Sequence, residues 1–268
     1  MATSISAAQA GTITFGGITV NRLGLGTNRI HDNEQGHTLL KRAVELSINF
    51  IDTAHTYASG ESEAAIGNAL SPYGNGVVIA TKGGMGNGAK PEQLRTELEE
   101  SLRRLRTTSI ELYQLHRIDP ETSLAETMHA LRQFQDEGLI HHIGLSEVSV
   151  AELREAMDVA PVVSVQNEYN VANRKHEALV TYCTDNGIAF IPWFPLGGLA
   201  GDTVKVEGLV TEIAEKYNAT PQQVALAWLL RRSPMILPIP GTTSPEHLED
   251  NLKGAALKLS DKDYEILS

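Results

Sequence analysis

Asp52, Tyr57, Lys82 and His116 are the residues of this chain whose types and placement best suit chemistry. A carboxylate, a phenol, an ammonium and an imidazole brought together could build one proton-donating site. Such a site suits the reduction of a carbonyl, because hydride arriving at the carbon puts negative charge on the oxygen and a proton donor must stand close to it. A phenol is a reluctant donor near neutrality, and a neighbouring ammonium favours its anion. Two unit charges about 4 Å apart interact by roughly 4 kcal/mol at an effective dielectric of 20, enough to matter for that step.

These four residues need elements that bring them together. Each lies at or just beyond the C-terminal end of a β-rich run: Asn49 to Tyr57, Val77 to Lys82 and Ile110 to His116. In a parallel α/β barrel all such ends share one rim, where loops from several strands assemble a site. Eight strand candidates follow one another: Arg22 to Thr27, Asn49 to Ala54, Val77 to Lys82, Ile110 to His116, His142 to Ser146, Val163 to Glu168, Ile188 to Trp193 and Met235 to Pro240. Helical periods lie between them, such as Leu94, Leu98, Leu102 and Leu105 after Pro91, and Leu124, Met128, Leu131 and Phe134. Leu209, Ile213 and Tyr217 begin a helix that Thr220-Pro221 ends and restarts. Before the first strand, Thr12 to Val20 reads as a β-hairpin turning at Gly16-Gly17. The expectation is a (β/α)8 TIM barrel with an N-terminal β-hairpin, residues 1–268 as one domain, with a doubly wound open sheet as the competing layout.

Composition excludes several partners. The net charge of −11 over 268 residues argues against nucleic acid or an anionic membrane surface, both of which need a basic face. Cys183 is the only cysteine, so no intramolecular disulfide can form, and its helical spacing from Leu179 reads as buried packing. No run approaches 18 apolar residues and Met1 to Gly11 lacks a signal-peptide pattern, so a cytoplasmic protein is expected. Gly84 to Ala89 fits the loose dinucleotide pattern G-x-G-x-x-[GA], but the following strand carries its acid near the start, so a rim loop is expected there. Adjacent His141 and His142 point to opposite faces of a strand and make a poor metal pair, while His37, His129 and His176 read as surface residues.

Asp-Thr-Ala-x-x-Tyr at 52 to 57, Thr-Lys at 81 and 82, and Leu-Tyr-Gln-Leu-His at 112 to 116, in that order on the barrel pattern, resemble the aldo-keto reductases. Later runs match as well, including Ile143 to Ser146, Val165 to Asn170, Ile191 to Gly197 and Pro238 to Asn251. The resemblance implies Tyr57 as proton donor, Lys82 as the charge beside it, Asp52 holding Lys82, and His116 orienting the carbonyl oxygen and sharing the proton at low pH. It implies NADP(H) as cofactor, with NADPH favoured over NADH. Trp193 would stack on the nicotinamide, with Ser146 and Gln166 holding its amide. Glu147 replaces the usual Asn, and a carboxylate cannot donate to the amide carbonyl. Gly26, Thr27 and Asn28, with Phe194, Pro195, Leu196 and Gly198, would lie along the pyrophosphate. Gly241, Thr242, Thr243 and His247 replace the family's basic set at the 2′-phosphate, aided by the N-terminus of the Pro245 helix. Asp250 and Asn251 would meet the adenine.

The runs Val165 to Asn170, Phe194 to Gly198, Ala219 to Leu230 and Ile239 to Thr242 look most like a bacterial subgroup that includes pyridoxal reductases. They imply a small-molecule carbonyl substrate, pyridoxal or a small aldehyde, and a monomer. Asn28 to His31, His55, Met85, Arg117 and Trp193 are candidate pocket walls, and Arg117 faces either an anionic substrate or a surface ion-pair partner. Two other classes stay open: a nicotinamide-binding regulatory protein with little turnover, and a lyase using Lys82 as a Schiff-base nucleophile, which needs the neutral amine that Asp52 would oppose.

Overall fold

Strands β1 (Thr12–Phe15) and β2 (Ile18–Asn21) pair antiparallel across Gly16-Gly17. Both glycines have positive φ, 55° and 87°, as a two-residue turn between right-twisted strands requires. The computed structural model of the chain describes residues 5–74, 76–85, 88–197 and 204–268. The hairpin turns Ile13, Phe15, Ile18 and Val20 onto Phe50, Ala80, Leu112, Ala189, Ile191, Leu237 and Ile239, and so stoppers one end of a barrel interior.

The rest of the chain alternates strand and helix. β3 (Leu25–Gly26), β4 (Phe50–Asp52), β5 (Val78–Gly83), β6 (Ile110–Leu115), β7 (Ile140–Ser146), β8 (Val162–Gln166) and β9 (Ala189–Phe190) form one parallel sheet in that order. Between the strands run α1 (Glu34–Glu45), α2 (Glu61–Leu70), α3 (Pro91–Leu105), α4 (Leu124–Asp136), α5 (Val150–Met157) and α6 (Glu177–Asp185). After β9 come α7 (Val204–Lys216), α8 (Pro221–Arg232), α9 (Pro245–Ala256) and α10 (Asp261–Leu267). The stripes read from the sequence face the sheet: Leu94, Leu98 and Leu105 of α3, and Leu124, Met128, Leu131 and Phe134 of α4, are buried in the layer between helices and strands. Fully burying one such side chain is worth about 1.5–3 kcal/mol, so this layer stabilises helices too short to persist alone in water. α8 starts as its sequence predicts, with Pro221 in the first turn and a reciprocal capping box between Thr220 and Gln223.

The eighth strand candidate, residues 235–240, closes the barrel without forming a continuous strand. Phe190 bridges Ile236 and Gly26 bridges Gly241, both in parallel sense. Pro238 and Pro240 explain the thin pairing: each carbonyl accepts, from Gly24 N and Gly26 N, but neither nitrogen can donate back. The other predicted strands are present but shorter at β3, β4 and β9 than their runs suggest. His141 is exposed and His142 partly buried beside Glu111, at 3.4 Å, in keeping with opposite strand faces. Of the three histidines expected on the surface, His129 is exposed, whereas two are corrected: His37 is partly buried against Asp32 at 2.6 Å and His176 packs partly buried against Asn167. Cys183 is buried. No helix among the described residues is long and apolar enough to cross a membrane.

Candidate active site

Above the apolar interior lies a layer of inward-pointing polar side chains. Strand register builds it: Asp52 pairs with Ala80, Lys82 with Gln114, Gln114 with Gly144 and Ser146 with Gln166. Lys82 is fully buried and uses its three donors on Asp52 Oδ2 at 2.7 Å, the Thr53 carbonyl at 2.8 Å and the Tyr57 hydroxyl at 3.2 Å. The other oxygen of Asp52 accepts from Gln166 Nε2 at 2.8 Å and Gln114 Nε2 at 3.2 Å. A buried ion pair of this kind persists only when its remaining hydrogen-bonding capacity is met, and here it is. Burial alone would push the Lys82 ammonium down, but Asp52 and Tyr57 outweigh it and hold Lys82 above the ordinary lysine range. A charged, fully bonded Lys82 is no free amine, which removes the footing of the Schiff-base reading.

Gln114 is the member of this layer to which the sequence reading gave no role. It sits two residues before His116, hence on the same strand face, and that spacing is the signal that could have found it. Gly144 makes its reach possible, since a Cβ there would come 2.3 Å from Ser164 Oγ and 2.8 Å from Gln114 Cγ.

Tyr57 is held from the loop after β4. Its N–H donates to the Ala54 carbonyl at 3.1 Å, turning the half-buried ring back over the layer so that Lys82 lies 4.7 Å from the ring centroid. The loop is fastened from outside the barrel. Arg104 on α3 donates to the His55 carbonyl at 3.1 Å, to Glu63 of α2 at 3.3 Å and to Glu100 at 3.0 Å. Glu63, itself fully buried, accepts from Thr81 Oγ1 at 2.6 Å, and Thr81 is the outward-facing neighbour of Lys82. Ala58, Ser59 and Gly60 all have positive φ, and a Cβ on Gly60 would lie 2.5 Å from the Arg104 guanidinium carbon. Only the i,i+4 pair of Glu100 and Arg104 is local in the sequence; the contacts that fasten the loop are not, because Arg104 and Glu63 lie 41 residues apart on two helices.

His116 closes the other side, its ring edge-on to Tyr57 with centroids 5.8 Å apart. Burial first, then the charges of Lys82 and Arg117, push its pKa down to about 3. It is therefore neutral at ordinary pH, and the low-pH proton sharing expected from the sequence is confined to strong acid. His116 Nδ1 is buried without a partner among the described residues.

The residues predicted to meet a cofactor divide into three groups. Ser146, Gln166 and Trp193 ring the polar layer. Arg117 Nη1 donates to Ser146 Oγ at 3.0 Å, and Trp193 Nε1 donates to Glu147 at 2.6 Å. Glu147, in the left-handed region at φ 56°, also accepts from Glu168 N at 2.9 Å, so its carboxylate is turned to the Trp193 edge. Phe194 is 57% exposed, Pro195 is buried, Leu196 is partly buried, and Gly198 lies outside the described residues.

The second group is the closing seam. A Cβ on Gly26 would lie 2.7 Å from the Ile239 carbonyl oxygen, and one on Gly241 would lie 3.2 Å from Gly26 O, so both glycines serve the close approach of the walls. Thr27 is buried, donating to the Asp52 carbonyl at 2.8 Å and sharing a hydrogen bond with Ser62, whereas Asn28 is exposed. Arg29, which sequence reasoning placed only among wall residues, donates to the Gly241 carbonyl at 3.1 Å.

The third group surrounds the start of α9. Thr242 is buried, Thr243 and His247 are exposed, and Ser244 caps the helix by accepting from His247 N. The Asp250 carboxylate is turned to α8, where it accepts from Gln223 Nε2 at 2.9 Å and Thr220 Oγ1 at 3.3 Å, and Asn251 is buried.

Comparison with known proteins gives consistent matches. The sequence model described as the aldo/keto reductase family matches residues 12–268. An uncharacterised oxidoreductase of Schizosaccharomyces pombe is 43% identical, covering 96% of this chain and 89% of its own length. Pyridoxine 4-dehydrogenase of Escherichia coli is 36% identical, covering 97% of both chains. An aldo-keto reductase of Klebsiella pneumoniae, solved in complex with NADPH, superposes with a TM-score of 0.86 at 28% identity, covering 96% of this chain and 93% of that one.

Proposed function

The chain belongs to the aldo/keto reductase family, and on that premise we propose that it reduces aldehydes to alcohols with NADPH, using Tyr57 as the proton donor. One observation carries this reading: the buried Lys82 ammonium is bonded at once to Asp52, the Thr53 carbonyl and the Tyr57 hydroxyl. NADPH, when bound, supplies the hydride. The carbonyl carbon gains that hydride, its oxygen gains the Tyr57 proton, and solvent returns a proton to Tyr57, so aldehyde, NADPH and one proton become alcohol and NADP+.

The protein's residues have separate tasks in that step. Lys82 faces the oxygen on which Tyr57 acquires negative charge and stabilises it there. Asp52 fixes Lys82, and Gln114 and Gln166 fix Asp52. His116, neutral and edge-on to Tyr57, hydrogen-bonds the carbonyl oxygen and leaves the proton transfer to Tyr57. The rim fits a nicotinamide dinucleotide. Ser146, accepting from Arg117, keeps its own hydroxyl proton for an amide carbonyl, and the Glu147-anchored Trp193 offers a flat apolar face. The 2′-phosphate that favours NADPH over NADH falls to Thr242, Thr243 and the N-terminal end of α9, with Arg29 close by across Gly241. Pyridoxal and small aldehydes are the candidate substrates, with pyridoxal supported by the likeness to a pyridoxine 4-dehydrogenase. A cytoplasmic monomer is the simplest form of this enzyme.

The test is NADPH oxidation by the purified protein with pyridoxal and a panel of small aldehydes, beside Tyr57→Phe. Turnover that falls by about 10²–10⁴-fold in the variant, the usual contribution of a positioned acid, is the expected outcome. Bound NADPH without turnover of any aldehyde would instead favour the regulatory reading.

A further inference from the structure

Arg117 stands beside His116 at the C-terminal end of β6 and has no carboxylate partner among the described residues. Its Nη1 donates to two neutral acceptors, the His116 carbonyl at 2.6 Å and Ser146 Oγ at 3.0 Å. Two acids close to it in space or sequence are committed elsewhere. Glu147, next to Ser146, accepts from Trp193 Nε1 and Glu168 N. Asp119, two residues on, accepts from Ala89 N, Glu121 N and Thr122 Oγ1. The sequence leaves Arg117 between a surface ion pair and an anionic ligand, and no ion pair forms among the described residues. The half-buried guanidinium is held by one of its nitrogens, leaving a fork of N–H groups at the rim next to the imidazole that meets the carbonyl.

We propose that Arg117 selects carbonyl substrates carrying an anionic group, a carboxylate or a phosphate, by pairing with that group while His116 and Tyr57 hold the carbonyl oxygen. The inference rests on the reductase reading, and the step remains hydride to carbon and proton to oxygen. A guanidinium suits this task because its planar fork matches both kinds of oxyanion. Anchoring at His116 O and Ser146 Oγ sets the guanidinium in advance, so less freedom is lost when the anion arrives.

The experiment pairs each anionic aldehyde with an uncharged counterpart: 4-oxobutanoate against butanal, and pyridoxal 5′-phosphate against pyridoxal, with NADPH, in the wild type, Arg117→Lys and Arg117→Met. The readout is the ratio of kcat/KM within each pair. A wild-type preference for at least one anionic member, reduced about 10- to 100-fold in Arg117→Met and partly restored in Arg117→Lys, is expected from the loss of one charge-assisted pair. The carboxylate and phosphate arms tell the two anion sources apart. A ratio unaltered by Arg117→Met in both pairs overturns the proposal, and equal loss on charged and uncharged members does the same by assigning Arg117 to positioning Ser146 alone. If none of the four aldehydes is turned over, the reductase reading fails separately. Thermal stabilisation by butanoate then decides the anion site, which survives if Arg117→Met abolishes the stabilisation and falls if it does not.

Discussion

The two sides of the barrel mouth are built to different standards. From β4 to β8 the walls are parallel ladders, interrupted only by a register shift at Ile143–Gly144 against β8, and the inward-aimed Asp52, Lys82, Gln114 and Gln166 are bonded to one another with no ligand needed. From β9 round to β3 the wall narrows to the bridges Phe190 to Ile236 and Gly26 to Gly241, with two prolines that accept but cannot donate. The first side carries Asp52, Lys82 and His116, the groups whose geometry a proton transfer depends on. The second carries residues proposed to meet the dinucleotide. Preorganisation is concentrated where charge develops, because misplacement there costs rate directly, whereas a wall that lies along a ligand can take part of its definition from the ligand.

The largest effect that would break this contrast is predicted at Lys82. Lys82→Met leaves the buried Asp52 carboxylate without its cation, which costs about 3–5 kcal/mol when a buried pair loses one member. Aldehyde reduction should fall beyond detection in the same variant. Adding Asp52→Asn should recover part of the stability in urea unfolding and none of the activity. A single variant as stable as the wild type would mean that the ladder side is not organised around this ion pair.

The two sides were also unequally legible in the sequence. Asp52, Lys82 and His116 end β-rich runs, and strand ends in a parallel barrel share a rim, so their meeting could be read from one dimension. Gln114 was readable from its two-residue spacing to His116, but it entered only as part of the Leu112 to His116 motif, without a role of its own. Of the Arg104 strut only the i,i+4 contact with Glu100 follows a local pattern, since its other partners come from α2 and the loop before Tyr57. At the seam the run Met235 to Pro240 has the composition of a strand, yet proline removes the donors that would make it one. Glu147 was read as a departure from the family's amide, but its partner Trp193 Nε1 is 46 residues away, a distance only the fold closes.

A smaller effect sharpens the picture of the ladder side through pH. The folded pKa of His116, about 3, lies below the ordinary value of 6.5. Between those values the unfolded chain binds a proton that the folded chain refuses, so stability present above pH 6.5 is lost as pH falls towards 3. At pH 5 the loss from this one group amounts to about 2 kcal/mol. Carboxylates that titrate in the same range cancel when the wild type is compared with His116→Asn, whose stability should decline less steeply from pH 7 to pH 5. Parallel slopes would show that His116 is hydrated in solution and that this side is less closed than its hydrogen bonds imply.

The smallest predicted effect belongs to the seam. In a parallel ladder the N–H and C=O of one residue point to the same neighbour, so Pro240, whose carbonyl accepts from Gly26 N at 3.4 Å, turns its nitrogen towards β3 as well. Pro240→Ala places a donor there. A new backbone hydrogen bond contributes about 0.5–1.5 kcal/mol, while removing a proline from a compatible position costs about 0.4–1 kcal/mol through the unfolded state, so the net change should stay within about 1 kcal/mol. Hydrogen exchange is the more sensitive measurement: the Gly24 and Gly26 amides should become better protected as the bridges extend into a ladder. Protection that stays the same, with stability also unmoved, would mean that the missing donors are not what keeps the seam thin, and the close approach of Gly26 to Ile239 would take their place as its cause.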